Sequence, residues 1–489
     1  MTALDQLEFA RLSHDEVVDH LLRRTYACIG RSKPMHPGFV EWTIQAFRNY
    51  LTAWQAHRES TDTPAVIPVR PEWVVHRKLE ERDSRGVLIY EWTSWGRRYR
   101  SADGSVREAW LIQLNEPKDR SAAEKTEIAH VAAHGTPLGA AERTPAETVQ
   151  PQLVKVVAFG TGSAKAKPLG EWHVSATPEL FREHVVKRAM AVMDDTKRRP
   201  GSNCAECKIT VTCESLKKFD FLPAVAARPR GRRTLSVTDL RMYDACPARY
   251  HLDRQLGLGV RDMAESPEIV RGRAVDAWLN QKHDGESVRC DADDMLALSF
   301  PELQPDQSEQ VTRMLAEHTA FCPMSETADL PPRVQPQLSA YDERLGVVFV
   351  ATPDLLFRRD GAWVWRETKT AGRPIWRGRP LLRQFPQLAM GTLLLAAGVV
   401  GDLSRASRVE LEHLRADGGQ LEEVDPNQPE VLAEAREVIG DLTRPLLFDD
   451  RFEAKPGTGC GGCPVLGWCS PGRAHLARAA EAEVSGELG

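Results

Sequence analysis

The stretch 351–370, ATPDLLFRRDGAWVWRETKT, brings two carboxylates and an amine within reach of one another if it folds as a hairpin. Asp360-Gly361 is the turn signal, because both central residues of a tight type I′ turn need positive φ. A turn there pairs residues whose numbers sum to 721, so Asp354 falls opposite Glu367. Opposed side chains share a sheet face, with Cβ atoms about 5 Å apart. Alternation adds Trp363, Trp365 and Lys369 to that face. Two facing carboxylates repel, and a hairpin built only for stability would avoid them. A divalent cation removes the conflict, and Mg²⁺ takes one or two carboxylates together with water and phosphate oxygens. Lys369 can then hold a nucleophilic water or a phosphate oxygen. The plain alternative is a surface hairpin with solvated acids and a Glu367–Lys369 pair.

The order acid, hairpin crossing, acid-x-Lys resembles the signature of the PD-(D/E)XK nuclease superfamily, with TPD at 352–354 and ETK at 367–369 as the matching residues. Three further stretches resemble the RecB-type, AddB-like exonucleases that carry a four-cysteine iron–sulfur staple. YDACPARYHLDRQLGLG (243–259) is similar to their leading cysteine on a helix. GCGGCPVLGWC (459–469) is similar to the closing cysteine trio, and RQFPQLAMGTLLL (383–395) to the glutamine helix after the catalytic strand. The resemblance covers about half the chain. It implies an α/β fold, a restriction-endonuclease-like mixed sheet flanked by helices. It also implies Mg²⁺ or Mn²⁺ held by Asp354, Glu367 and the carbonyl of Thr368, with Lys369 placing the attacking water. The family's glutamine contacts the scissile-strand phosphate. Gln384 and Gln387 both lie in the matching helix, and Gln387 fits the spacing better. Where the family places an aromatic four residues on, this chain has Gly391. Where it places a histidine ligand on an earlier helix, this chain has Asp276, whose hard oxygen also suits Mg²⁺ or Mn²⁺. His283 is expected in a loop.

The chain has ten cysteines. Tight local spacing and a mixed polar N-terminus argue for metal ligation in a reducing cytoplasm over disulfides. Cys460, Cys463 and Cys469 supply three thiolates, with Cys246 as the expected fourth. Such a Cys₄ set suits an iron–sulfur cluster or a structural zinc, and the resemblance favours 4Fe–4S. Cys204, Cys207 and Cys213 repeat the same spacing, with Cys28 in the matching place for a second cluster, zinc or an empty site. Cys290 and Cys322 lack partners at useful spacing and read as buried small hydrophobes.

The elements that must position these residues follow a repeated order. Amphipathic helices fill residues 1–75, alternating strands 73–115 carry a second Asp-Gly turn at Asp103-Gly104, and a strand (153–162) and helix (177–199) lead to the first trio. Helices, the hairpin, a strand at 409–419 and a helix at 429–447 lead to the second. We read a tandem duplication: 1–225 a degenerate nuclease-like domain, 226–234 an Arg/Pro-rich linker, 235–475 the nuclease domain, 476–489 an acidic Ala-rich tail. With the turn at Asp103-Gly104, the counterparts of Asp354, Glu367 and Lys369 are Arg97, Trp110 and Ile112. An alternative alignment offers Glu108 but still no lysine.

The net charge of −5 gives no global pull on nucleic acid, so binding must come from local patches. Arg228, Arg230, Arg232 and Arg233 form one. Arg373, Arg377, Arg379 and Arg383, with Trp376 among them, form another that could track a single strand and stack a base; the alternative is a solvated loop. The longest apolar run, 388–400, is too short to span a bilayer. The expected function is a metal-dependent DNA exonuclease acting on single strands or ends, in repair, recombination or defence against foreign DNA. No phosphate-binding G-x-x-x-x-G-K-[ST] loop occurs, so a helicase motor would be a separate subunit. The competing readings are an inactive iron–sulfur DNA-binding or scaffold protein and a zinc-stabilised regulator.

Overall fold

The computed structural model describes residues 1–23, 35–60, 65–79, 88–138, 149–194, 197–227, 231–260, 263, 265–284, 289–296, 298–301, 303–324 and 330–486. The fold is mixed α/β, several mixed sheets flanked by helices, consistent with a restriction-endonuclease-like architecture. It divides into two compact units, each discontinuous in sequence. The first unit comprises Met1–Lys197, His251–Arg261 and Pro456–Gly489; the second comprises Arg198–Tyr250 and Asp262–Lys455.

The second unit is built on five strands in the order Leu330–Val334, Leu355–Arg359, Ala362–Thr370, Arg408–Arg415, Gly418–Val424. All neighbours are antiparallel except Ala362–Thr370 and Arg408–Arg415, which run parallel. A parallel step needs a crossover, supplied by the helix Pro386–Ala396. That helix is apolar all round (PQLAMGTLLLA) and accordingly buried. It packs with Trp365, Val409, Leu411 and Ile439 on one sheet face. Val364, Leu355, Phe357 and Leu414 point to the other face, against Val275, Leu279, Val311 and Leu315 of the helices Pro267–His283 and Pro305–His318. The period-2 alternation of the strands thus feeds two cores.

The larger sheet of the first unit has five strands in the order Val66–Pro68, Arg97–Ser101, Val106–Gln113, Leu153–Gly160, Lys165–His173. The same pattern recurs: antiparallel, antiparallel, parallel, antiparallel. Its crossover helix is Ala122–His134, closed by a Ser121/Glu124 capping box. The region read as one helix over 177–199 is interrupted by a π-helical turn at Arg182–Val186.

A linear reading ends a first domain near residue 225 and puts a linker over 226–234; contacts divide the chain differently. Phe221, Leu222 and Val225 are buried in the core of the second unit. Lys217–Lys218 pairs with Ala340–Tyr341, and Arg233–Leu235 pairs in parallel with Val347–Phe349. The residues 476–486 continue the helix Ser470–Gly486. Among the described residues no helix is long and apolar enough to cross a membrane.

Candidate active site

Asp360 and Gly361 both have positive φ, +51° and +74°, as a type I′ turn requires. The ladder pairs Leu355 with Arg366 and Arg359 with Ala362, the register expected from the turn. Asp354 lies one residue before the ladder begins, after Pro353, which has no N–H to give to it. From that bend its Oδ2 accepts a hydrogen bond from Thr368 N at 2.7 Å. Lys369 Nζ lies 3.3 Å from Asp354 Oδ2, 3.2 Å from Glu367 Oε2 and 3.0 Å from the Thr368 carbonyl. Asp354, Glu367, Thr368 and Lys369 are therefore brought to one point.

Glu367 is almost fully buried, and Trp365 Nε1 donates to its Oε1 at 3.0 Å. Burial, with Asp354 adding like charge, pushes its carboxyl up to about 7 against the pull of Lys369 and Trp365. Burial works against the Lys369 ammonium, but Glu367 and then Asp354 outweigh it and raise its pKa. Trp365 itself fits only because the crossover helix carries a glycine: a Cβ on Gly391 would meet the indole at 2.9 Å.

Asp276, on the helix Pro267–His283, faces the same place and accepts from Gln335 Nε2 at 3.1 and 3.2 Å. Its carboxyl is raised by burial and then by the Asp354 charge. Gln335 sits at φ +44°, a conformation few non-glycine residues adopt. Its backbone N–H donates to the Asp354 carbonyl at 3.3 Å, so one residue braces two acids. Asp276, Asn280, Asp354, Thr368 and Glu412 line a narrow cleft. Gln335 and Glu412 escaped the sequence reading, since neither lies near the hairpin in sequence.

Gln384 donates to the carbonyls of Trp376 and Arg379 and is committed to its own loop. Gln387 Oε1 is buried without a hydrogen-bond partner. Trp376 is 65% exposed on the loop after the active strand, which Ile375 anchors in the core. Arg377 pairs with Glu422, and Arg383 with Glu437 and Asp441. Among the described residues Arg373 and Arg379 are exposed and show no ion pair. Arg228 and Arg230 lie outside the described residues, and Arg232 binds the carbonyls of Ala205 and Cys207.

Cys204, Cys207 and Cys213 belong to the second unit, as does Cys246, whose Sγ receives the Lys455 N–H at 3.5 Å. Cys460, Cys463 and Cys469 belong to the first unit. Cys28 lies outside the described residues. The trios share a local fold: the Gly201 N–H points at Cys204 Sγ at 3.3 Å, and the Gly457 N–H at Cys460 Sγ at 3.4 Å. Cys290 and Cys322 are not isolated hydrophobes. They meet two buried histidines, His283 and His318, with ligand atoms all within 4.8 Å of one another. His283 ends a helix and does not lie in a loop.

In the first unit Arg97 pairs with Trp110, the register taken from the Asp-Gly turn, although the loop spans residues 102–105. Arg97 is neutralised by Asp5 and Glu8. Glu108 Oε2 accepts from Trp110 Nε1 at 3.1 Å.

Residues 234–470 match the family model of the PD-(D/E)XK nuclease superfamily, and this part of the chain is a domain of that superfamily. No curated protein matches the sequence significantly. Two solved structures are similar in part. The protein SSO0001 is 14% identical, over 50% of this chain and 89% of its own, with a TM-score of 0.28. A protein of Eubacterium rectale provisionally described as an exonuclease is 11% identical, over 47% of this chain and 86% of its own, with a TM-score of 0.31.

Proposed function

We propose that the second unit hydrolyses phosphodiester bonds of DNA, as a Mg²⁺- or Mn²⁺-dependent nuclease acting on single strands or ends. The observation that carries this reading is the cradle of Asp354 Oδ2, Glu367 Oε2 and the Thr368 carbonyl around the Lys369 ammonium. Three oxygens converging on a cation make the donor set that a hard divalent ion takes, and Asp276 stands beside it. When bound, such an ion supplies Lewis acidity toward the phosphate and acidifies water.

The chain's own residues do the rest. Lys369 keeps three N–H donors next to the acids and can orient the attacking water or neutralise the phosphate. Gln387, with its amide oxygen unengaged, is the candidate for the scissile-strand contact. Arg373 and Arg379 offer charge to the backbone and Trp376 a stacking surface; Arg377 and Arg383 already have carboxylate partners and contribute less. The test is labelled single- and double-stranded DNA with Mg²⁺ or Mn²⁺, wild type beside Lys369→Ala and Glu367→Gln. Metal-dependent cleavage present only in wild type supports the reading. Equal cleavage by all three, or none by wild type, sinks it.

The first unit keeps the sheet topology with an arginine at the position of Asp354, and we read it as a degenerate copy. The trio Cys460, Cys463 and Cys469 is read as ligating an iron–sulfur cluster, with zinc as the alternative, and the trio Cys204, Cys207 and Cys213 as a second cluster, a zinc site or an empty site. Iron and sulfide analysis of protein prepared without oxygen separates cluster from zinc. A role in repair, recombination or defence, with a separate helicase subunit, is the biological setting this reading fits.

A further inference from the structure

We propose that His283, Cys290, His318 and Cys322 form a tetrahedral Zn²⁺ site on the opposite sheet face from Glu367, tied to the active strand through Glu412. His283 and His318 are the last residues of the helices Pro267–His283 and Pro305–His318, and each is followed by one of the cysteines in the next segment. Two helix C-termini, each carrying partial negative charge, thus meet at one point, an arrangement that suits a cation.

The geometry fits the ion. Bond lengths of about 2.3 Å to sulfur and 2.0–2.1 Å to nitrogen separate tetrahedral donors by roughly 3.3–3.8 Å. His283 Nε2 lies 3.4 Å from Cys290 Sγ and 3.8 Å from Cys322 Sγ. All four donors fall within 4.8 Å of one another. Two thiolates and two imidazoles are a set that selects zinc over Mg²⁺.

Most of this buried cluster is hydrogen-bonded within itself, but one ring nitrogen is not. His318 is 1% exposed, and its Nδ1 lies 2.6 Å from the buried Glu412 carboxylate. That contact occupies Nδ1 and leaves Nε2 as the ring atom available to a metal. Nε2 is buried with no hydrogen-bond partner, a costly state for a polar atom. The Cys290 N–H points at Cys322 Sγ at 3.3 Å, a contact that favours thiolate.

A carboxylate on the far nitrogen of a ligating histidine is the usual means of fixing its ring and raising its basicity. Glu412 fills that place and also accepts from Thr368 Oγ1 at 3.0 Å, on the strand that carries Glu367 and Lys369. Metal, histidine, carboxylate and active strand are linked in series. The site stands independently of the nuclease reading.

Full-length protein grown with zinc and passed over chelating resin should hold one zinc in addition to any at the cysteine trios. Zinc-edge X-ray absorption should show histidine nitrogen in the shell, which neither trio can supply. Cys290→Ser and His318→Asn should each lose one equivalent, while Lys369→Ala keeps it. Glu412→Gln leaves all four ligands and should weaken zinc by about 10–100-fold in competition with a chelator. Wild type without zinc, zinc with an all-sulfur shell, or a Cys290–Cys322 disulfide in protein prepared without oxygen overturns the site. Unchanged zinc affinity in Glu412→Gln overturns the link to the active strand. The absorption measurement needs no variant, so the proposal stays testable if a substitution prevents folding.

Discussion

The two units share a strand order and a pattern of strand senses, yet their central hairpins hold opposite charges at the same place. Counting from the turn, Asp354 and Arg97 occupy matching positions, as do Glu367 and Trp110. In the second unit a tryptophan lies two residues before the acid, Trp365 and Glu367; in the first the order is reversed, Glu108 and Trp110. Both pairs keep an indole N–H to carboxylate bond. What differs is the surroundings: Glu367 faces a lysine and a second acid, whereas Glu108 lies beside Tyr50 and His57, and the arginine of that hairpin is locked by Asp5 and Glu8. One fold therefore holds either two acids and a lysine with a third acid, Asp276, beside them, a set open to a further cation, or an arginine engaged by two acids, of which Asp5 is half-exposed.

The sharpest way to break this comparison is to measure both hairpins in one assay. Glu367→Gln or Lys369→Ala should reduce cleavage by on the order of 10³-fold, the usual cost of losing a group aimed at developing charge. Arg97→Ala should leave cleavage intact while costing about 3–5 kcal/mol of stability by denaturant unfolding, because Glu8 loses its buried partner. A cleavage loss in Arg97→Ala as deep as in Glu367→Gln, with folding intact, would mean that both hairpins are catalytic.

A second prediction turns on protons. Because burial raises Glu367 to about 7, its folded state prefers the neutral acid. In metal-free protein that contribution is complete below the ordinary glutamate range and is lost as pH rises through about 7. Glu367→Gln should therefore be more stable than wild type above pH 7, by roughly 3 kcal/mol, with the gap closing toward pH 4. At limiting metal, cleavage should rise with pH through the same window, since protons compete for Glu367. Flat stability and rate profiles across that window count against a buried, protonatable Glu367.

The smallest effect concerns how each tryptophan is housed. Trp110 packs among Tyr50, Trp54 and His57, whereas Trp365 depends on the space at Gly391. Gly391→Ala should displace the indole, cost about 1–3 kcal/mol and lower cleavage by less than either active-site substitution. An unchanged melting temperature and rate would show that the helix can shift to accommodate the methyl.

The hairpin was legible in the sequence because two residues, Asp360 and Gly361, fix its register and alternation does the rest. That the two cysteine trios repeat one local fold was legible because their spacing is local. Gln335 and Glu412 were not, since each reaches the site across the fold from a strand or bend with no motif. The His/Cys group was hidden for the same reason: its spacings, H-x₆-C and H-x₃-C, become one set only when two helix ends meet. The unit division was hidden because Phe221, Leu222 and Val225 look like a connector until the core they fill is known.

The piecewise composition of the first unit has a consequence for synthesis. Phe39 and Trp42 pack with Leu252 and Leu258 and with Val465 and Trp468, so this core draws on all three pieces of the unit. At about 5–20 residues per second, the ribosome needs tens of seconds after residue 42 to make Val465. Through that interval the early helix presents unburied aromatics, while every piece of the second unit is already made by Lys455. The order of emergence therefore lets the second unit fold first and leaves the first to close last. Chaperone demand in the cell should fall on the amino-terminal helices.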